Sequence, residues 1–153
     1  MSRRGQIQMT DDEVEAFLDA QRIVICATHG PDGWPHLMPL WYVIRDGQLW
    51  AWTYAASQKV RNLERDDRAT LEVEDGQEYQ ELRGVMLKAH CRLHRDLDTV
   101  AGVGQELAAR YSGTAVGPEA REAFQSQAAK RVALQFEPVA TATWDHRKLG
   151  GVY

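Results

Sequence analysis

Cysteine is scarce in this 153-residue chain. Only Cys26 and Cys91 occur, each flanked by apolar residues at alternate positions, so they read as buried free thiols, and redox chemistry by a CxxC motif is excluded. Nowhere does the chain approach the ~20 consecutive apolar residues that a membrane helix requires. Excess positive charge is missing as well: 18 lysines and arginines face 22 aspartates and glutamates, a formal net charge of −4, which argues against a chain built to track a nucleic-acid backbone. The segment from Met1 to Met9 carries arginines with no apolar run behind them, so a cytoplasmic location is expected.

The common catalytic signatures are lacking too. There is no GxSxG nucleophile elbow, no HExxH and no phosphate loop ending in Gly-Lys-Ser or Gly-Lys-Thr. Gly102-Val103-Gly104 resembles the opening of a dinucleotide fingerprint, but it sits inside a helical pattern instead of following a strand. His90 and His94 would share a face; on a strand they join Lys88 and Arg92 in a polar, solvated surface, so no metal site is expected.

What remains is ordinary globular composition, 44% hydrophobic and 26% charged, in a length that suits one domain over residues 1–153. Thr10 followed by Glu13 has the spacing of a capping box, and Val14, Phe17 and Leu18 continue it as a short amphipathic helix. Six strands are expected: Ile23 to Ala27, Pro35 to Arg45, Gln48 to Tyr54, Ala69 to Glu74, Gly84 to His94 and Arg131 to Glu137. Asp46-Gly47 between the second and third is a strong hairpin signal. One or two helical turns over Gln58 to Asp66, and longer helices over Leu97 to Tyr111 and Glu119 to Lys130, complete the pattern. Short connections without crossover helices favour a mainly β, α+β fold, an antiparallel six-stranded barrel with peripheral helices, over a parallel sheet.

The informative stretch is Leu49 to Asn62. A strand carrying Trp50, Trp52 and Tyr54 runs directly into a helical turn that begins at Ser57 and carries Lys59 and Arg61. Free backbone N–H groups at a helix start, a hydroxyl and two cations suit an anion such as a phosphate. The structural alternative is a solvated helix whose cations pair with Glu64 and Asp66.

These residues resemble the FMN-binding split barrels related to pyridoxamine phosphate oxidase. In that family a strand ending in aromatic-Thr leads to Ser-x-Lys, as Trp52-Thr53 and Ser57-Gln58-Lys59 do here. Asp66-Asp67-Arg68-Ala69-Thr70-Leu71 and Arg83-Gly84-Val85-Met86-Leu87-Lys88-Ala89 also fit its pattern. The oxidases' cationic Arg-x-Val-Leu-Leu-Lys strand is replaced by Pro39-Leu40-Trp41-Tyr42-Val43-Ile44. With the tail from Thr143 to Gly151, that replacement looks like the actinobacterial branch that uses the deazaflavin coenzyme F420.

The resemblance implies a Greek-key split barrel and a homodimer with the cofactor in a groove between subunits. It also implies an oxidoreductase in which reduced coenzyme F420 passes a hydride to an unsaturated or heteroaromatic small molecule. Because the cofactor carries the reactive atom, no catalytic side chain is expected. The implied contacts are Ser57, Lys59 and Arg61 at the phosphate, Thr53 beside it, Pro39, Leu40 and Trp41 at the ring, Arg83 and Gly84 by position, and Arg147 and Lys148 from the tail. The alternatives are an FMN-dependent oxidoreductase or oxidase, and a non-catalytic protein that binds a cofactor or a tetrapyrrole. No nucleic acid or membrane partner is implied.

Overall fold

Thr10 caps the first long helix as its spacing predicts. In a computed structural model, which describes residues 2–151, its hydroxyl accepts the Glu13 N–H at 3.3 Å while the Glu13 carboxylate accepts the Thr10 N–H at 2.7 Å. A four-residue helix α1 (Arg3–Gln6) precedes this one, α2 (Asp11–Ala20), which buries Phe17 and Leu18. No described helix is long and apolar enough to cross a membrane.

Seven strands follow: β1 (Ile23–His29), β2 (Pro35–Trp41), β3 (Val43–Arg45), β4 (Gln48–Tyr54), β5 (Arg68–Asp75), β6 (Arg83–His94) and β7 (Arg131–Asp145). All neighbours are antiparallel, in the order β2-β1-β5-β6-β7-β4-β3. The two strands at opposite edges are consecutive in the chain, separated only by Tyr42, so the sheet curls until its edges meet there. Helices α3 (Gln58–Arg65), α4 (Leu97–Ser112) and α5 (Arg121–Ala128) lie around it.

Two expectations need correction. The run Pro35 to Arg45 is not one strand: it divides at Tyr42, giving seven strands where six were expected, because its first half pairs with β1 and its second with β4. Tyr42 is fully buried; its N–H donates to the Tyr111 hydroxyl at 3.1 Å and its own hydroxyl donates to the Leu18 carbonyl at 2.5 Å, which fixes the break. The last strand does not stop at Glu137. It continues past Pro138 to Asp145, since a bulge shifts the register between Lys88 and Ala89 and spares the proline a ladder hydrogen bond. The Asp46-Gly47 hairpin forms as expected, with φ of 50° and 73°, the left-handed values that a tight two-residue turn demands.

Inside the curl, Val24, Leu49, Leu71, Val85, Leu134 and Phe136 form the main core, with Val60 and Leu63 of α3 packed on it. A second cluster sets Val100, Val103 and Leu107 of α4 against Val43 and Ala133. Gly104 lies directly on the Trp52 indole, where a Cβ would collide, so the Gly-Val-Gly run is a close helix approach. Cys26 and Cys91 are buried free thiols, and burial pushes the Cys26 thiol up to about 12 and raises that of Cys91 too.

Candidate cofactor-binding site

Strand alternation aims β4. Leu49, Ala51 and Thr53 turn inward and are buried, while Trp50 and Trp52 turn toward the helices, where Trp50 stacks on His94 at 4.8 Å and Trp52 meets Phe124 at 6.4 Å. The chain then bends, the Ser57 N–H donating to the Tyr54 carbonyl at 3.0 Å, and α3 begins. The Lys59 side chain turns back under this bend. It is only 7% exposed, and its amine donates to Thr53 Oγ1 at 3.1 Å.

No carboxylate among the described residues pairs with Lys59. Its expected local partners are occupied elsewhere: Glu64 is bound to Arg95, and Asp66 holds Arg68 at 2.6 Å. Burial therefore lowers the Lys59 pKa from its ordinary value. Ser57 stands at the helix cap in extended conformation, yet its buried Oγ neither caps the helix nor finds another partner. Arg61 is exposed and without a carboxylate partner among the described residues. Within the three residues Ser57 to Lys59 the chain sets an orphaned hydroxyl, the first N–H groups of a helix and a buried cation without a carboxylate partner among the described residues, the kinds of donor that a phosphate accepts from.

Asn62, fully buried, rivets α3 to the sheet. Its amide donates to Thr28 Oγ1 at 3.0 Å, and its Oδ1 accepts from Gln58 at 2.8 Å and from Arg65 at 3.1 Å. Sequence reasoning passed over both Asn62 and Thr28. The available signal was helical spacing, since Lys59, Asn62 and Leu63 recur at i, i+3 and i+4 on the buried face.

The other expected contacts lie elsewhere. Leu40 is half-buried on β2, whereas Pro39 and Trp41 are exposed, and Trp41 stacks on Tyr111 at 4.1 Å. Arg83 and Gly84 open β6, and Arg147 and Lys148 belong to the turn His146–Leu149. Val132 is the partner of Thr53 and Asp145 the partner of Arg83, so the two clusters sit toward opposite ends of β7. Within one chain they do not meet. Nor are the cations of the second cluster free: Arg83 pairs with Asp75 at 2.7 Å, Arg147 grips Asp145 at 2.9 and 2.6 Å, and Lys148 reaches Glu13 at 2.5 Å. Arg147 in turn holds the buried Asp145 carboxyl below the usual carboxylate range. Gly84 is covered by the Trp144 ring. His90 bonds Asp67 at 2.9 Å, His94 bonds Gln135 at 2.8 Å, and no metal-ligand cluster occurs among the described residues.

A family model described as pyridoxamine 5'-phosphate oxidase matches residues 10–145. The chain belongs to the pyridoxamine 5'-phosphate oxidase family. Its fold is shared, at TM-score 0.91 and 36% identity over 100% of this chain and 95% of the other, with the conserved hypothetical protein Rv2991 from Mycobacterium tuberculosis. An F420 reductase superposes at TM-score 0.67 with 22% identity, covering 87% of this chain and 98% of its own. An FAD-binding protein from Mesorhizobium loti does so at TM-score 0.67 with 17% identity, covering 89% and 94%. Comparison with curated protein sequences gives no match. Against this family's pattern, the Ser57 and Lys59 cluster fits the phosphate of a flavin-type cofactor, because it holds the uncompensated donors such a group needs.

Proposed function

We propose that this protein is an oxidoreductase that binds coenzyme F420 and acts on an unsaturated or heteroaromatic small molecule in the cytoplasm, where its buried thiols stay reduced. The cofactor would supply hydride transfer; the protein binds and orients it. The observation that carries this reading is Lys59, buried without a carboxylate partner among the described residues, two positions along the chain from the orphaned Ser57 hydroxyl. Coenzyme F420 is preferred to FMN because β2 offers Pro39, Leu40 and Trp41 where the oxidases place cations. FMN is the second reading, since its phosphate suits the same cradle. Fluorescence titration of the purified protein is expected to give tighter binding of coenzyme F420 than of FMN. Tight FMN binding with negligible F420 binding makes it a flavin enzyme instead.

The active form in this proposal is a homodimer. Ile23, Leu37, Pro39 and Trp41 share the outer face of β1 and β2, and Ile23, Leu37 and Trp41 are 51%, 57% and 57% exposed, a band of apolar surface that a second copy would cover. Light scattering at micromolar concentration is expected to give a dimer mass for the natural chain and a monomer mass for Leu37→Glu, which would bury a carboxylate at that contact. A monomer in the natural chain with cofactor present counts against a groove shared by two subunits.

A further inference from the structure

Three buried side-chain polar atoms have no hydrogen-bond partner among the described residues: His36 Nδ1, Ser57 Oγ and Arg110 Nε. Arg110 is otherwise held, its terminal nitrogen donating to the carbonyls of Leu18, Asp19 and Gln21. Of the other two, His36 lines a pocket that also takes in Gln58, the chain neighbour of Ser57. His36 lies on β2 opposite Thr28, so both side chains take the same face of the sheet, the face to which Asn62 fastens α3. Gln58, the residue after Ser57, lines with His36 a cavity of about 300 Å³ whose walls include Pro31, Asp32 and Trp34.

Burying a polar atom without a partner is destabilising, and native proteins keep few such atoms. One of them on the lining of a pocket that reaches the helix start carrying the other is what a ligand's own polar groups would satisfy. We propose that His36 is a binding residue for the ligand, its Nδ1 hydrogen-bonding a hydroxyl on the polyol arm next to the phosphate held by Ser57 and Lys59. This rests on the phosphate reading given above. A hydroxyl is the matching group because neutral imidazole and hydroxyl can each donate or accept. A second anion is disfavoured there, since the Asp32 carboxylate, which accepts the Trp34 N–H at 3.1 Å, lines the same cavity.

The test uses two pairs of probes that differ by the phosphate: coenzyme F420 with its phosphate-free deazaflavin polyol, and FMN with riboflavin. Whichever pair the natural protein binds is titrated against His36→Ala, His36→Asn and Lys59→Met, and the melting temperature of each ligand-free variant is recorded. His36→Ala is expected to weaken both probes of the pair by about tenfold, the worth of one hydrogen bond, with an unchanged melting temperature. His36→Asn, which returns a polar atom near the Nδ1 position, recovers most of that loss. Lys59→Met weakens only the phosphate-bearing probe. The assignment of His36 is overturned if His36→Ala alters neither affinity, if its loss is confined to the phosphate-bearing probe, or if it lowers the melting temperature without touching affinity. Lys59→Met without effect on either probe overturns the phosphate reading itself, and the hydroxyl assignment with it.

Discussion

Lys59→Met is expected to weaken binding of the phosphate-bearing cofactor by roughly ten- to a hundredfold and to raise the stability of the ligand-free protein. The affinity loss follows from removing a charge-assisted contact worth roughly 1.5–3 kcal/mol, at about 1.4 kcal/mol per decade of affinity. The gain in stability follows from what the free protein carries there. Lys59 is 7% exposed, and among the described residues its amine has one hydroxyl acceptor, Thr53, and no carboxylate partner, so its charge is desolvated without return until an anion arrives. Methionine keeps the length and removes the charge.

The same physics sets a pH dependence with a definite sign. Burial lowers the Lys59 pKa in the folded chain below the value it has when unfolded. Below the folded value both states are protonated and the cost of the buried charge is present in full. As pH rises from the folded value toward the ordinary lysine range near ~10.4, the unfolded chain holds the extra proton, and the folded state gains. The stability advantage of Lys59→Met over the natural chain should therefore shrink across that alkaline window. Melting curves at several pH values, with the affinity of each protein at neutral pH, check both halves. Unchanged affinity with unchanged melting temperature removes Lys59 from the site.

Legibility in the sequence followed the range of the interaction. The Thr10–Glu13 capping box, the Asp46-Gly47 hairpin and the Ser57-x-Lys59 spacing are local, and each formed where the residues placed it. The break at Tyr42 is not local. Residues on its two sides form the opposite edge strands of the sheet, pairing with β1 and with β4, and nothing within Pro35 to Arg45 records that choice. The extension of the last strand past Glu137 is not local either, because the bulge that accommodates Pro138 depends on the opposing strand.

At the start of α3, the place of Lys59 on the helix was legible from spacing, but its burial was not. Asn62 and Thr28 meet across 34 residues, and His36 owes its place to pairing with β1. Arg147 and Lys148 looked like free charge for a ligand. Their partners are Asp145, which also opens the final turn, and Glu13, 135 residues away and already engaged in the helix cap. A charge count along the chain cannot show such compensation, and it is the lack of compensation that distinguishes Lys59.

Gly84 offers a clean separation of packing from binding. It faces Trp144 across the β6–β7 pair, and a Cβ built on it would overlap the indole ring. Gly84→Ala must therefore displace a large, rigid side chain, an overpacking cost of about 1–3 kcal/mol, or roughly 3–10 °C in melting temperature for a domain of this size. If the overlap is the cause, the penalty belongs to the pair. In a Trp144→Ala background the added methyl group enters vacated space, so Gly84→Ala should then cost almost nothing, and the double-mutant cycle should return nearly the whole single-mutant penalty as coupling. A glycine kept bare so that a cofactor can lie on it makes the opposite forecast: affinity falls, the melting temperature of the free protein holds, and the Trp144 background changes neither. Melting and titration of the four proteins in the cycle decide between a wall of the groove and a seat for Trp144, and the collision found at Cβ favours the seat.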